Sequence, residues 1–248
     1  MRVAIAGSTG LIGTKLVELA RSDGHDVVEV SRSSGFDLTD EAVLPRLAEA
    51  LADVDAVVDV TQGASFEEDE AVSFFRSVAG HLGQAAHEAG VRRTVVLSIV
   101  GIEESPDYGY YVGKVAQEKA HRENSPGVRV LRATQFHEFP GQMVEWFTTD
   151  GVADVMDVEF QPVDSAEVVR LLLEMATGSF DGDVQLAGPR TESLVGLARE
   201  HVAAKGLDAA VKPGEAPASM AEGGMLPRQE DAVIVRGRSW HEWMDQEN

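Results

Sequence analysis

The sequence predicts an α/β fold: a doubly wound parallel sheet with helices on its faces, followed by a small α+β lobe. Three observations predict it. Short apolar, β-branched runs alternate with helix-length amphipathic segments through about residue 133. The first of these runs leads straight into a glycine-rich turn and a helix. The chain of 248 residues is long enough to bury a sizeable core, and no internal repeat or long low-complexity linker divides it.

The opening unit carries the most information. Met1-Arg-Val-Ala-Ile-Ala6 reads as a buried strand, Gly7-Ser-Thr-Gly10-Leu-Ile-Gly13-Thr as a turn, and residues 15–21 as the body of a helix. Gly7 suits a tight turn at the strand end. Gly10 lets a pyrophosphate approach the backbone, and Gly13 lets helix and strand pack closely. The helix N-terminus adds free N–H groups and a positive dipole end. The spacing is G-x-x-G-x-x-G, and Gly7, Thr9, Gly10, Leu11, Ile12 and Gly13 are the candidate phosphate cradle.

Composition limits the function classes. The formal net charge of −21 opposes nucleic acid and anionic lipid, so neither is an expected partner. Cysteine is absent, which removes disulfide and thiolate chemistry. No apolar run is long enough to span a bilayer and no leader pattern is visible, so a soluble cytoplasmic protein is expected.

The second strand, Asp26-Val-Val-Glu-Val-Ser31, ends where such units meet the adenosine ribose. Arg32 there can grip a 2′-phosphate, with hydroxyls from Ser31 and its neighbours. Glu29 is acidic but lies two positions inside the strand end. NADP is therefore expected, with NAD as the alternative. Gly35-Phe-Asp37-Leu38-Thr-Asp40 reads as a short third strand running into a helix capped by Asp40 and extending to Ala52 despite Pro45. Asp37 and Leu38 would lie near the adenine. Asp55-Ala-Val-Val-Asp-Val60 is the fourth strand, and Thr61 follows at its ligand-facing end. Acids at residues 67–70 open a long helix, where they complement the helix dipole. His81 and His87 stand six apart on it, a poor metal spacing, and no metal site is expected.

The fifth strand, residues 92–98, ends in Ser98. A loop then leads to Tyr110-Tyr-Val-Gly-Lys114 at the start of a helix. Tyr110 and Lys114 are four apart and share a helical face. An ammonium beside a phenol lowers the phenol pKa, which would make Tyr110 a proton donor near neutral pH. Lys114 can also hold ribose hydroxyls, Ser98 can orient a substrate oxygen, and Tyr111 is the alternative acid. A Tyr–Lys pair at this spacing also occurs on solvated helices. The preceding glycine turn, strands and strand-end serine give it weight.

These motifs, with Leu97-Ser-Ile-Val-Gly101 and Leu131-Arg-Ala-Thr-Gln-Phe-His-Glu-Phe139, resemble the atypical, NmrA-like NAD(P)-binding branch of the short-chain dehydrogenase/reductase family. The likeness runs over essentially the whole length, including Gln161-Pro-Val-Asp164. It implies that the glycine turn holds a pyrophosphate and that Ser98, Tyr110 and Lys114 drive hydride transfer. It places nicotinamide and substrate contacts after the sixth strand, residues 128–131, at Thr134 and its neighbours. Some members of this branch sense the dinucleotide without turnover.

Beyond residue 133 the lobe is expected to hold an amphipathic lid (residues 141–149) and a strand over 158–163. A helix over 168–176, capped by Asp164 with Glu167, follows. Then come a strand over 183–187, a helix over 191–204, a strand over 208–212, a loop over 213–228 and a terminal turn docked by tryptophans. His137 is read as structural. The whole is a single NAD(P)-binding domain with a Rossmann-like core (1–133) and a substrate lobe (134–248), a monomer or homodimer. The expected activity is NAD(P)H-dependent reduction of a small carbonyl or quinone-type substrate. A non-catalytic NADP(H) sensor and a nucleotide-sugar epimerase are the alternatives.

Overall fold

A computed structural model describes residues 1–228 and 232–247. In chain order it begins with β1 (Arg2–Ala6), α1 (Leu11–Ser22), β2 (Asp26–Val30), α2 (Leu44–Ala50) and β3 (Ala56–Asp59). Next come α3 (Glu68–Glu88), β4 (Arg93–Ile99), α4 (Gly109–Asn124), β5 (Val128–Ala133) and α5 (Phe139–Phe147). Then follow β6 (Thr148–Thr149), β7 (Val152–Met156), β8 (Glu159–Phe160), α6 (Ser165–Thr177) and β9 (Val184–Ala187). The chain ends with β10 (Glu192–Ser193), α7 (Leu194–Lys205), β11 (Ala210–Gly214), β12 (Val233–Val235) and α8 (Trp240–Glu247).

The chain forms two compact units. The first takes Met1–Ser98, Tyr108–Arg132 and Val168–Asp183; the second takes Ile99–Asp107, Ala133–Glu167 and the described residues from Val184 onward. The first is the Rossmann-like α/β layer. Its strands lie in the order β5-β4-β3-β1-β2, with β1 parallel to β2 and β3, and β3 parallel to β4. β3 is buried along its whole length and β1 along four of its five residues, as continuous apolar strands covered on both faces should be. α1 buries Ile12, Gly13, Leu16, Val17 and Ala20, one stripe at helical spacing. α3 packs along α4, and glycines set the approach: a Cβ on Gly113 would stand 2.8 Å from the Ala71 Cβ.

The second unit holds α5, α7, α8 and short strands. β11 pairs with β7 in parallel, and β6 pairs with β7 antiparallel. β9 and β12 pair in parallel. Trp240 and Trp243 are buried, as expected of the terminal helix, and the Trp240 indole N–H donates to the His137 carbonyl at 3.0 Å.

Several expected elements differ. No strand forms over residues 35–40, because turns take their place. Asp37 accepts from the Thr39 backbone and hydroxyl, and Asp40 from Ala42 N, so side chains satisfy donors that a ladder would otherwise use. The helix after Asp40 starts as one 3-10 turn, becomes α-helical at Leu44 with Pro45 in its first turn, and stops at Ala50. The strand expected over 158–163 is only two residues long. The strand expected to end at Lys212 continues through Pro213 to Gly214. Pro213 is tolerated because β11 is an edge strand. β7 and β12 went unpredicted, being short and flanked by charged or glycine residues.

Candidate active site

The glycine turn is built as a cradle. Gly7 has φ +83°, and a Cβ there would lie 2.9 Å from the Val60 carbonyl carbon. Gly13 is buried against the turn itself, where a Cβ would stand 2.0 Å from the Gly7 oxygen. Gly10 differs. It is exposed, has an ordinary φ of −79°, and a Cβ would meet only the Gly7 oxygen, at 3.5 Å. Backbone packing therefore requires Gly7 and Gly13 but leaves Gly10 open on its outer side. α1 has no side-chain cap, and the Ser8 hydroxyl beside it is buried without a hydrogen-bond partner. An uncapped helix start with an orphaned hydroxyl suits an anionic ligand. Thr9 and Leu11 are exposed, whereas the Ile12 side chain is core, leaving only its backbone for a ligand.

At the end of β2 the Ser31 hydroxyl is buried and bonded to those of Ser33 (2.9 Å) and Ser34 (3.1 Å). These bonds shape the turn that carries Arg32, which is exposed. Glu29 is paired with Arg21 at 2.7 Å. A second guanidinium, Arg46, was not singled out from sequence. It donates to the Gly35 and Ser34 carbonyls and lies 4.7 Å over the Phe36 ring. The Asp37 carboxyl is held below its usual range, chiefly by its Thr39 hydrogen bonds and least by Arg32. Leu38 is buried, and its carbonyl lies 2.8 Å from His81 Nδ1.

The Ser98, Tyr110 and Lys114 side chains belong to the first unit. The Ser98 hydroxyl is buried with no hydrogen-bond partner. Lys114 is 4 % exposed; its Nζ donates to the Leu97 carbonyl at 2.8 Å and to Gln117 Oε1, and sits 4.9 Å from the Phe75 ring centre. Burial pulls the ammonium pKa down to about 8, against the opposing pull of Asp59 and Glu118. The Tyr110 ring packs on Phe75 (5.5 Å) and Phe66 (5.8 Å). Here the expectation is corrected: the Tyr110 pKa is raised, not lowered. Burial is the main cause, and Tyr108 and Asp59 add to it, while the ammonium that was to lower it is committed to Leu97 and Gln117.

A buried polar cluster stands behind Lys114. Asp59 is fully buried at the end of β3 and accepts four hydrogen bonds. The Thr61 N and Oγ1 reach Oδ1 at 2.9 and 2.6 Å. Gln117 Nε2 and His121 Nε2 reach Oδ2 at 2.7 and 2.8 Å. Burial alone would raise this carboxyl, but the bonds from His121 and Thr61 bring it down to about 2. Thr61, expected to face a ligand, is thus occupied with Asp59. Sequence reading missed Asp59, Gln117 and His121. A carboxylate inside the apolar strand Ala-Val-Val-Asp-Val, and residues three and seven positions after Lys114, were the available signals.

Thr134 lies in the second unit and is bonded internally, its N to the Leu186 carbonyl (2.9 Å) and its hydroxyl to that of Gln161 (2.6 Å). His137 is buried there against Trp243, and burial lowers its pKa. Among the described residues no cluster of His, Cys, Asp and Glu could hold a metal, and no helix is long and apolar enough to cross a membrane.

Residues 3–104 match the model of the NAD dependent epimerase/dehydratase family. No curated protein matches the chain. Its fold is similar to that of a dTDP-4-dehydrorhamnose reductase from Clostridium acetobutylicum (TM-score 0.78, 15% identity, 99% of this chain and 98% of that one). The same reductase from Bacillus anthracis, in complex with NADP, is similar (0.78, 15%, 99% and 97%). So is UDP-N-acetylglucosamine 4-epimerase from Bacillus cereus (0.70, 17%, 99% and 94%). At these identities the likeness concerns the fold.

Proposed function

We propose that the protein is an NADP(H)-dependent oxidoreductase that reduces a carbonyl, with Tyr110 as the proton donor. The observation that carries the dinucleotide is the turn at residues 7–13. There two glycines are demanded by packing, the third is left open, and an uncapped helix start meets the orphaned Ser8 hydroxyl. The family model over residues 3–104 and the NADP-bound Bacillus anthracis reductase of similar fold support the same group. The backbone of residues 7–13 would hold the pyrophosphate. Arg32 would meet the 2′-phosphate, since the only carboxylate inside β2 apart from its first residue is already paired with Arg21. NAD is the alternative where that phosphate is absent.

Bound there, the dinucleotide would supply a hydride for the carbonyl carbon. The chain's own residues do the rest. Lys114 holds ribose hydroxyls with the proton left over from its Leu97 and Gln117 bonds. Ser98, buried and without a partner, offers its hydroxyl to the acceptor oxygen. Tyr110 gives that oxygen its proton. Its raised pKa keeps the phenol protonated through neutral pH and makes it a weaker acid than an ordinary tyrosine, so the proton must pass to an oxygen whose negative charge has already developed.

The substrate class is a small carbonyl or quinone, or a keto group on a nucleotide sugar. The reductase and epimerase neighbours favour the sugar, and with it a second reading as an epimerase. The NmrA-like character of the branch rests on the motifs at residues 7–13, 97–101 and 110–114. The test is NADPH oxidation across quinones, aldehydes, ketones and keto-nucleotide sugars, with Tyr110→Phe beside the parent. Turnover should vanish in the variant while NADPH binding stays near parental. Undiminished turnover would remove Tyr110 from the mechanism. NADPH binding with no turnover by the parent across the panel would favour the sensor.

A further inference from the structure

We propose that Gln117, Asp59 and His121 are positioning residues that aim the Lys114 ammonium at the nicotinamide ribose. This rests on the role given to Lys114 above. Three contacts argue for it. Gln117 lies one turn past Lys114 on α4, is fully buried, and bridges Lys114 Nζ to Asp59 Oδ2. An ammonium only donates and a carboxylate only accepts, so the amide has one orientation: Oε1 toward Lys114 and Nε2 toward Asp59. The ends of the chain thereby fix its middle.

Asp59 is itself immobilised. Its four acceptor positions are filled by Thr61 N, Thr61 Oγ1, Gln117 Nε2 and His121 Nε2. His121 is fully buried, and its other ring nitrogen lies 2.8 Å from the Ser125 hydroxyl. Asp59 only accepts, so His121 Nε2 carries the proton of that bond, while Nδ1 of the same ring meets the Ser125 hydroxyl. Strand β3 and helix α4 are thus joined by a chain with defined donors and acceptors from His121 through Asp59 and Gln117 to Lys114. The groups facing Lys114 are Asp59 from β3, the Leu97 carbonyl from β4, the Phe75 ring from α3, and Gln117 and Glu118 from its own helix. A bare polar clamp between strand and helix could end at the Asp59–His121 pair. Extension through Gln117 to the lysine of the site makes it a device for that lysine.

The experiment titrates the full chain with NADPH by calorimetry from neutral to alkaline pH, for the parent, Gln117→Met, Asp59→Asn and Lys114→Met. Melting curves run beside each titration. Gln117→Met keeps the side-chain length and removes both hydrogen bonds. It should weaken NADPH by about tenfold or more, the scale of a hydrogen bond to a charged group, and move the alkaline loss of affinity to lower pH. Asp59→Asn should move both in the same direction, and it decides the matter if Gln117→Met lowers the melting temperature by more than about 5 °C. Parental affinity and an unmoved alkaline limb in both variants, with weakened binding in Lys114→Met, would overturn the positioning role alone. Parental NADPH affinity in Lys114→Met would overturn the ribose role of the lysine and the proposal with it.

Discussion

Alanine at Gly10 and at Gly13 should separate ligand binding from folding within one turn. At Gly13 the added Cβ would stand 2.0 Å from the Gly7 oxygen and 2.8 Å from the Ser8 Cα, both backbone atoms. Comfortable contacts lie near 3.5 Å, so turn and helix must separate by about 1.5 Å. Overpacking of this kind costs about 1–3 kcal/mol, and alanine in a helix returns up to about 1 kcal/mol. A net loss of about 2 kcal/mol should lower the melting temperature by roughly 4–8 °C for a chain of this size. At Gly10 the new Cβ meets only the Gly7 oxygen at 3.5 Å, and φ is −79°, so the fold should hold to within about 1 kcal/mol. The cost falls on the ligand: a methyl where the pyrophosphate approaches should weaken NADPH by about tenfold or more, or about 1.4 kcal/mol. Circular dichroism melts and calorimetric titration with NADPH read the two effects independently. Parental affinity in Gly10→Ala would refute the cradle, and a parental melt in Gly13→Ala would refute the packing argument.

Two further outcomes are expected. Arg32→Ala should weaken NADPH far more than NADH; equal losses in paired titrations would reject the 2′-phosphate assignment. Asp59, held at about 2 in the folded chain against about 3.9 unfolded, contributes stability that is complete above about pH 4 and is lost as pH falls toward 2. The contribution is about 2 kcal/mol, so urea unfolding should show a steeper acid loss in the parent than in Asp59→Asn. Parallel losses would show that the carboxylate is not stabilised in the fold.

Much of the site was legible because it is local. Gly7, Gly10 and Gly13 follow a strand and open a helix, so spacing alone locates the turn, and the structure bears out that geometry. The Tyr110–Lys114 pair was likewise visible as neighbours on one helical turn. Their electrostatics were not. Spacing suggested an ammonium lowering a phenol pKa, yet the ammonium bonds elsewhere and the phenol is packed between Phe66 and Phe75. Residues 35–40 misled for a related reason: they read as a short strand running into a helix cap, while Asp37 and Asp40 satisfy backbone donors locally and hold turns.

By itself the sequence determined the α/β class, the helix and strand succession of the first unit apart from residues 35–40, and the glycine turn, because each depends on periodicity and backbone permissiveness within a few residues. Only the tertiary structure decided that Asp59 meets Gln117 and His121, 58 and 62 positions away, and that this cluster reaches Lys114. It also supplied the distances behind the glycine roles that the spacing suggested. The physical reason is that protonation states and hydrogen-bond direction follow from burial and from partners distant in the chain, and sheet order sets both.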